Sequence, residues 1–339
     1  MKSKVKKNEN ENQVALFELI RKKQAQANEA LVDVVSELFG IGRDASYRRI
    51  RGDTSITCEE TLFLCRHFNI SMDSLANIVL DKNYIQCMYS PLLLDNSKDY
   101  LDFIKSISYN LEQVRNSPPN EIIMSAVDIP IFRNFAYKEL WLFRLFSWSK
   151  NLYGFQGNFE DFISIFENNN PLTIDFQNKI VSDFLLIPST EIWTSTTADY
   201  TVKLIEYHAE VNHFNSKDSF LILCEHLLEL INTMEIWSAI GVKGSGNAPY
   251  KFYVSERDIA NTFVILKSKQ SKAAMLRLYT INGLVVSDER FCNETELWLQ
   301  NLTQRSMLIS ESSERERVKF FNAQKQKVKS LIDKIIPMF

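Results

Sequence analysis

The sequence predicts a mainly α protein: an N-terminal five-helix domain followed by a larger helical domain that carries a small antiparallel β-meander. Three observations predict it. Only 9 glycines and 8 prolines punctuate 339 residues, so helices can run long. Apolar residues recur at steps of three and four through most of the chain, the period of a helix with one buried face. The exception lies between GVKGSGNAP and INGLV, where YKFYVS, TFVILKS and AMLRLYT are short, β-branched and aromatic. Their spacing reads as a meander, with EIIMSAV at 121–127 as a further candidate strand.

Taken in order, residues 1–11 form a polar basic arm with no apolar segment of signal-peptide length behind it. Val14, Phe17 and Ile20 step by three along a first helix over 13–26. Asn28 can cap a second helix, whose apolar positions Leu31, Val34, Val35 and Leu38 precede the stop GIG. A short third helix follows, with Asp44 as its expected N-cap and Gly52 as its C-terminal stop. Thr57 and Glu60 have the spacing of a capping box and open a fourth helix to about Phe68; NISMDSLANIV supplies a fifth. This domain spans 12–80, with 81–96 as the connection. Over 97–339, helical periodicity is found near 99–116, 131–153, 159–167, 174–186, 197–213, 217–240, 288–306 and 313–335.

Composition excludes several classes. With 45% hydrophobic residues the chain can bury a full core, in about two domains. A net charge of −3 argues against a protein that coats nucleic acid with its whole surface, so any basic site is local. The 5 cysteines form no C-x-x-C pair, which fits reduced thiols in a cytoplasm. In that compartment the glycosylation sequons at Asn293 and Asn301 are chance matches. The most apolar run, LWLFRLFSW, is too short for a bilayer and carries Arg144, so no membrane span is expected.

The densest chemistry lies in GIGRDASYRRIRGDTSITCEE, residues 40–60. Helical spacing groups Ser46, Tyr47 and Ile50 on a packing stripe, and Ala45, Arg48 and Arg49, with Arg51 nearby, on an outward one. A helix and a tight glycine turn followed by a short cationic helix is the arrangement that enters a major groove. Arginine suits the task because its planar fork bonds guanine edges or grips phosphate. Arg43, Asp44, Ala45, Arg48, Arg49 and Arg51 are the candidate contacts, flanked by Lys22, Lys23 and Thr57 as phosphate contacts. The plain alternative is a solvated helix face. The order of turn, cap, glycine stop and following helix favours DNA contact.

These residues also carry a family resemblance. VVSELFGIGRDASYRRIRGDTSITCEETLFLCRHFNISMDSL resembles an XRE or lambda-repressor-like helix-turn-helix domain, and SYRRIRG its BetR-type variant, over roughly 12–80. The resemblance implies that the helix ending in arginine and glycine is the recognition helix. Where many members place a DNA-contacting glutamine at the start of the second helix, this chain has none, and Asn28 is the candidate replacement. AVDIPIFRNF, IPSTEIW and FCNETELWLQNLTQRSMLISESSERERVKFFN are similar to the C-terminal part of long bacterial helix-turn-helix proteins, which implies a full-length relationship and no chemistry.

Other candidates are weaker. His208 and His213 stand five apart, where four would share a helix face, and Cys224 and His226 add no metal-ligand spacing. GVKGSGNAPY holds three glycines beside Lys243 but lacks the order of a phosphate-binding loop, and reads as a flexible connection. Phe132, Phe135, Trp141, Phe143, Phe146 and Trp148 read as core before pocket. The last helix opens on a box, Ser313 with Glu316, and its apolar side fits a dimer seam or an intramolecular face about equally. No catalytic constellation stands out, and no cofactor or metal is expected. The expectation is a cytoplasmic DNA-binding transcriptional regulator that performs no covalent chemistry. It binds double-stranded DNA as a homodimer through residues beyond 97, with an effector unknown. The rival is an interaction scaffold that keeps the fold without DNA binding.

Overall fold

A computed structural model describes residues 10–23, 30–68, 70–72, 85, 87–92, 97–279 and 281–339. They divide into two compact units, with the break between Gln86 and Cys87.

The first unit contains α1 (Glu11–Lys23), α2 (Leu31–Phe39), α3 (Arg43–Ile50) and α4 (Cys58–His67). Leu16, Phe17 and Ile20 of α1 pack with Val32 and Val35 of α2, Ile50 of α3 and Leu64 of α4. The expected fifth helix and Asn28 fall largely or wholly outside the described residues. Gly40 ends α2 at φ 62, the left-handed conformation that glycine adopts without strain. Thr57 and Glu60 form the expected box: the Thr57 Oγ1 accepts from the Glu60 N–H at 3.1 Å and the Glu60 carboxylate from the Thr57 N–H at 2.7 Å. Asp44 is not the cap of α3. Gly42 supplies the extended N-cap residue, and Asp44 sits inside the first turn, where its charge still meets the positive end of the helix dipole.

The second unit overturns the expected fold class. In place of a helical domain with a small meander, it is built on a mixed sheet with nine strands among the described residues. They are β1 (Cys87–Ser90), β2 (Glu121–Ala126), β3 (Ser189–Thr194), β4 (Val242–Lys243), β5 (Ala248–Ser255), β6 (Phe263–Lys267), β7 (Lys272–Arg277), β8 (Gly283–Val286) and β9 (Met307–Leu308). Their order is β1-β8-β7-β6-β2-β3-β5-β4, with β9 also on β5. The runs YKFYVS and TFVILKS, expected to be neighbours, are separated by β2 and β3. Ile122 is level with Ser189, and Ser189 with Tyr250, in parallel pairs. β1 lies inside the expected connection 81–96 and pairs antiparallel with β8.

Parallel strands need long returns, and helices provide them. α5 (Ser97–Arg115) precedes β2. Between β2 and β3 run α6 (Ile131–Asn134), α7 (Lys138–Tyr153), α8 (Phe159–Asn169) and α9 (Thr173–Leu186). α10 (Asp199–Glu210) and α11 (Lys217–Ile240) connect β3 to β4; α12 (Glu289–Gln304) and α13 (Glu314–Ile335) close the chain. The period of two sorts the strand residues between layers. Ile122, Met124, Trp193, Tyr250 and Phe252 join the large helical core, whereas Ile123, Ile192, Ile265 and Ala274 meet Cys292, Leu299 and Leu302 of α12 on the other face.

The last helix, whose apolar side fitted a dimer seam or an intramolecular face equally well, is used within the chain. Phe320, Phe321, Val328, Leu331 and Ile335 of α13 are buried, and Lys325 bonds Asn232 and Glu235 of α11. α7 is buried along most of its length, so its aromatic residues are core. Ser313 has φ 55 and makes no side-chain cap, so the expected box at the start of α13 does not form.

Among the described residues, the buried carboxylates of this unit are paired. Arg133 of α6 donates to Glu191 in the middle of β3, with both side chains buried, and Trp193 Nε1 donates to the other Glu191 oxygen at 3.2 Å. The Arg133 guanidinium lies 4.8–5.2 Å from the ring centres of Phe184, Trp237 and Tyr250. Asp128, just past β2, accepts from Arg144 and Arg277; burial pushes its carboxyl up, but the two guanidiniums outweigh this and hold it below the usual carboxylate range. Removing one member of such a pair strands the other. Glu191→Ala is expected to destabilise the second unit by about 3–5 kcal/mol, and Arg133→Met combined with Glu191→Leu by less, as measured by urea denaturation.

Candidate nucleic-acid interface

The face of α3 is built from its inner side outward. Ser46 is buried, and its Oγ lies 2.9 Å from Ser36 Oγ of α2, which joins the two helices across the turn Gly40-Ile41-Gly42. Gln13 of α1, also buried, donates to the carbonyls of Arg49 and Thr54 at 2.7 and 2.8 Å and accepts from the Ile56 N–H at 3.0 Å. One side chain thus clamps the segment leaving α3 to α1. Gly52 completes the exit at φ 81, with the Asp53 N–H bonded to the Arg48 carbonyl at 2.8 Å. A Cβ there would lie 3.1 Å from Val14 Cγ2 and 3.3 Å from Asn10 Cβ, so glycine is required for both conformation and space.

The expected contacts divide on this frame. Arg48, Arg51 and Arg43 are exposed, with Asp44 beside them, and Ala45 is half-buried. Arg49 is not on the outward stripe. Its guanidinium pairs with Glu60 of α4 at 3.3 Å and lies 6.0 Å from the Phe39 ring, and its side chain is 21% exposed. Successive residues of a helix point about 100° apart, so the neighbour of outward Arg48 turns toward α4. Tyr47 makes the opposite change: expected to pack, it is 46% exposed. The surface stripe is therefore Asp44, Tyr47, Arg48 and Arg51, at steps of three, one and three. That spacing was readable in the sequence, but the apolar ring of Tyr47 masked it.

Arg43 pairs with Asp33 at 3.3 Å and Arg51 with Asp53 at 3.1 Å, both largely in solvent, where such pairs contribute little and are easily exchanged. Arg48 has no ion pair among the described residues. Thr57 is exposed at the start of α4, but its hydroxyl already accepts the Glu60 N–H. Lys22 and Lys23 end α1, with their side chains outside the described residues, as is Asn28.

The other candidates resolve differently. His208 and His213 do meet, Nδ1 to Nδ1 at 2.8 Å, because α10 stops at Glu210 and the turn folds His213 back. Among the described residues, no three His, Cys, Asp or Glu side chains converge as a metal site. His226 pairs with Glu139 instead. The glycine-containing loop after α11 is a tight hairpin of β4 and β5, not a loose connection, and its Lys243 is fully buried with Nζ 3.6 Å from the Phe184 ring centre. A lysine so placed cannot reach a phosphate. No described helix is long and apolar enough to cross a membrane.

Two outcomes follow from these placements. Arg49→Ala is expected to lower the stability of the first unit by about 1 kcal/mol and Arg48→Ala to leave it unchanged, read by hydrogen exchange of α3 and α4 amides in the full chain. In the second unit, burial first, then His213 and Lys150, push His208 down to about 3 from 6.5. The unfolded chain takes up a proton that the folded state refuses, so His208 favours folding above about 6.5, and this contribution is lost as pH falls from there toward 3. His208→Phe should flatten the loss of stability between about pH 6.5 and 5, before carboxylates titrate.

No protein-family model, curated protein or solved structure matches this chain, so the functional reading rests on its own residues.

Proposed function

We propose that the protein is a sequence-specific DNA-binding transcriptional regulator acting in the cytoplasm, with α3 as the helix that enters the major groove. The observation that carries this is the exposed stripe of Asp44, Tyr47, Arg48 and Arg51 on a short helix held from behind by α1, α2 and α4. A three-residue turn containing Gly40 and Gly42 separates α2 from α3, as a helix-turn-helix requires. Arg48 and Arg51 supply forks for guanine or phosphate, Tyr47 an apolar edge with a hydroxyl, and Asp44 an acceptor suited to a cytosine amino group. Arg43, at the N-terminus of the helix, and Thr57 are placed to meet backbone phosphates.

The rest of the chain carries a balancing acidic charge, so the attraction is local and screened by salt. The second unit is left for dimerisation or sensing. Pairing of two copies would have to use surfaces other than the buried faces of α7 and α13.

The test is selection of bound sequences from random DNA with the full-length protein, followed by titration in fluorescence anisotropy at several salt concentrations. Arg48→Ala is expected to cost about 1–3 kcal/mol on the selected sequence and to relax its base preference, whereas Arg43→Ala should weaken all sequences alike and reduce the salt slope by about 1. Unchanged affinity in a Tyr47→Ala, Arg48→Ala double variant, or selection of no sequence at all, rejects the reading. The second result would favour an interaction scaffold.

A further inference from the structure

The second unit holds a cavity of about 150 Å³ at the carboxyl end of β2, between α7 and the strands β6 to β8. Its body is apolar, with Phe103, Ile129, Phe132, Trp141, Leu204 and Met275 on its walls. Charge is present in the wall but engaged within it. Asp128 accepts from Arg144, from Arg277 Nη1 at 2.9 Å, from Thr201 Oγ1 at 2.9 Å and from the Ile129 N–H at 2.8 Å. Asn282, also in the wall, is engaged too: its Oδ1 accepts from the Leu92 N–H at 2.7 Å and its Nδ2 donates to the Tyr89 hydroxyl at 3.2 Å.

Ser147 differs. It lies on α7 one turn beyond Arg144, lines the cavity and is 4% exposed. A serine within a helix can return its hydroxyl to the carbonyl four residues back, as Ser36 does to Val32 at 2.7 Å. Among the described residues the Ser147 hydroxyl has no hydrogen-bond partner, neither there nor elsewhere. Two other lining residues share this condition. Trp148, 2% exposed, has an indole Nε1 with no acceptor; Asn134, 3% exposed, uses its Nδ2 on backbone carbonyls while its Oδ1 has no donor. Buried polar groups left unmet are costly, and a bound group that meets one recovers part of that cost. The unmet set is one hydroxyl, one donor and one acceptor, and none of them is charged.

We propose that this cavity binds a small neutral molecule of one ring bearing a hydroxyl group, a phenol or a cyclic alcohol, with that hydroxyl meeting Ser147. The volume decides the size: a cavity near 150 Å³ walled by aliphatic and aromatic side chains accommodates a single six-membered ring. The wall decides the class. A hydroxyl both donates and accepts, as the Ser147 hydroxyl does, so the two pair in either sense. A hydrocarbon ring would fill the space and leave Ser147 unmet. A charged ring would leave water for an apolar space in which Asp128 and the arginines are already committed to one another. Tyr200, which also lines the cavity and is 45% exposed, marks where it reaches the surface. This site is independent of the DNA reading, and a chain that bound no DNA would leave it unchanged.

The test uses the full-length protein and no DNA. Phenol is titrated by isothermal calorimetry and by saturation-transfer NMR, beside toluene, benzoate and benzylamine as probes of like size. Saturable phenol binding is expected, about fivefold tighter than toluene, which is the worth of one neutral hydrogen bond, and at least about tenfold tighter than either charged probe. Ser147→Ala, which removes no bond that holds the fold, should bring phenol down to the level of toluene and leave toluene bound. Leu204→Trp, which fills the cavity, should abolish binding of every probe. Met275→Trp fills the same space from the sheet side and serves if Leu204→Trp does not fold. No saturable binding of phenol at millimolar concentration, equal affinity for phenol and toluene, or a charged probe binding as tightly as phenol would each overturn the proposal. So would a preference for phenol that survives Ser147→Ala, or phenol binding that survives a folded cavity-filling variant.

Discussion

The parallel run of β2, β3 and β5 is the constraint on which the second unit depends. Two parallel neighbours cannot be joined by a hairpin, so each return must cross the sheet, and the chain supplies four helices for the first return and two for the second. Those helices cover one face and create the main core. The same constraint brings the segments after Ala126 and Thr194 to one end of the sheet. There the Thr197 Oγ1 donates to the Ala126 carbonyl at 2.7 Å, and Thr201 donates to Asp128. The polar cluster beside the cavity is a consequence of strand direction, in the position where open α/β sheets leave a crevice.

Charge in the interior follows a consistent rule with one exception. Asp128 has two arginines, Glu191 has Arg133 and the indole of Trp193, and the buried Asp183 has Arg115 and Lys179. Each carboxylate is met by more than one donor, as removal from water requires. Lys243 is the exception. Among the described residues its Nζ has no hydrogen-bond partner, and burial, reinforced by Arg133 and opposed by Glu191, pushes its ammonium well below the ordinary lysine range. Gly241 ends α11 and Gly244 opens the turn between β4 and β5, both in the left-handed region.

Helices were legible because their signals are local. The box at Thr57, the stop at Gly40 and the apolar steps of α2 each involve residues within one or two turns. The central strand β3 was not legible for the corresponding reason. All of β3 except its last residue is buried, so STEIWT shows no alternation of apolar and polar residues, and its identity depends on β2 and β5 lying beside it, more than fifty residues away in each direction. β6 and β7 were found because they form a local hairpin, while the false neighbour β5 was assigned by proximity in sequence. The residues proposed to contact DNA were partly legible: the arginine cluster is visible as composition, but its division into outward Arg48 and inward Arg49 depends on where α4 lies. The aromatic run of α7 is core as expected, yet Trp141 and Trp148 also border the cavity, a double use that no periodicity can reveal.

That division of arginines carries the strongest physical statement about the first unit. Among the described residues, the contacts from the inner side of α3 are Ser46 to Ser36, the Arg49 carbonyl to Gln13, the Arg49 side chain to Glu60, and Ile50 to the apolar core. With orientation settled there, the Tyr47 ring is left 46% exposed and Arg48 has no ion pair among the described residues. Arg43 and Arg51 hold only solvent-exposed carboxylates from their own neighbourhood, partners that a phosphate can displace because an exposed pair contributes little. A solvated face needs no such asymmetry, since any mixture of charges would serve it. Under the DNA-binding proposal the asymmetry has a use, because groups that read a partner must be held rigidly from behind and left free in front.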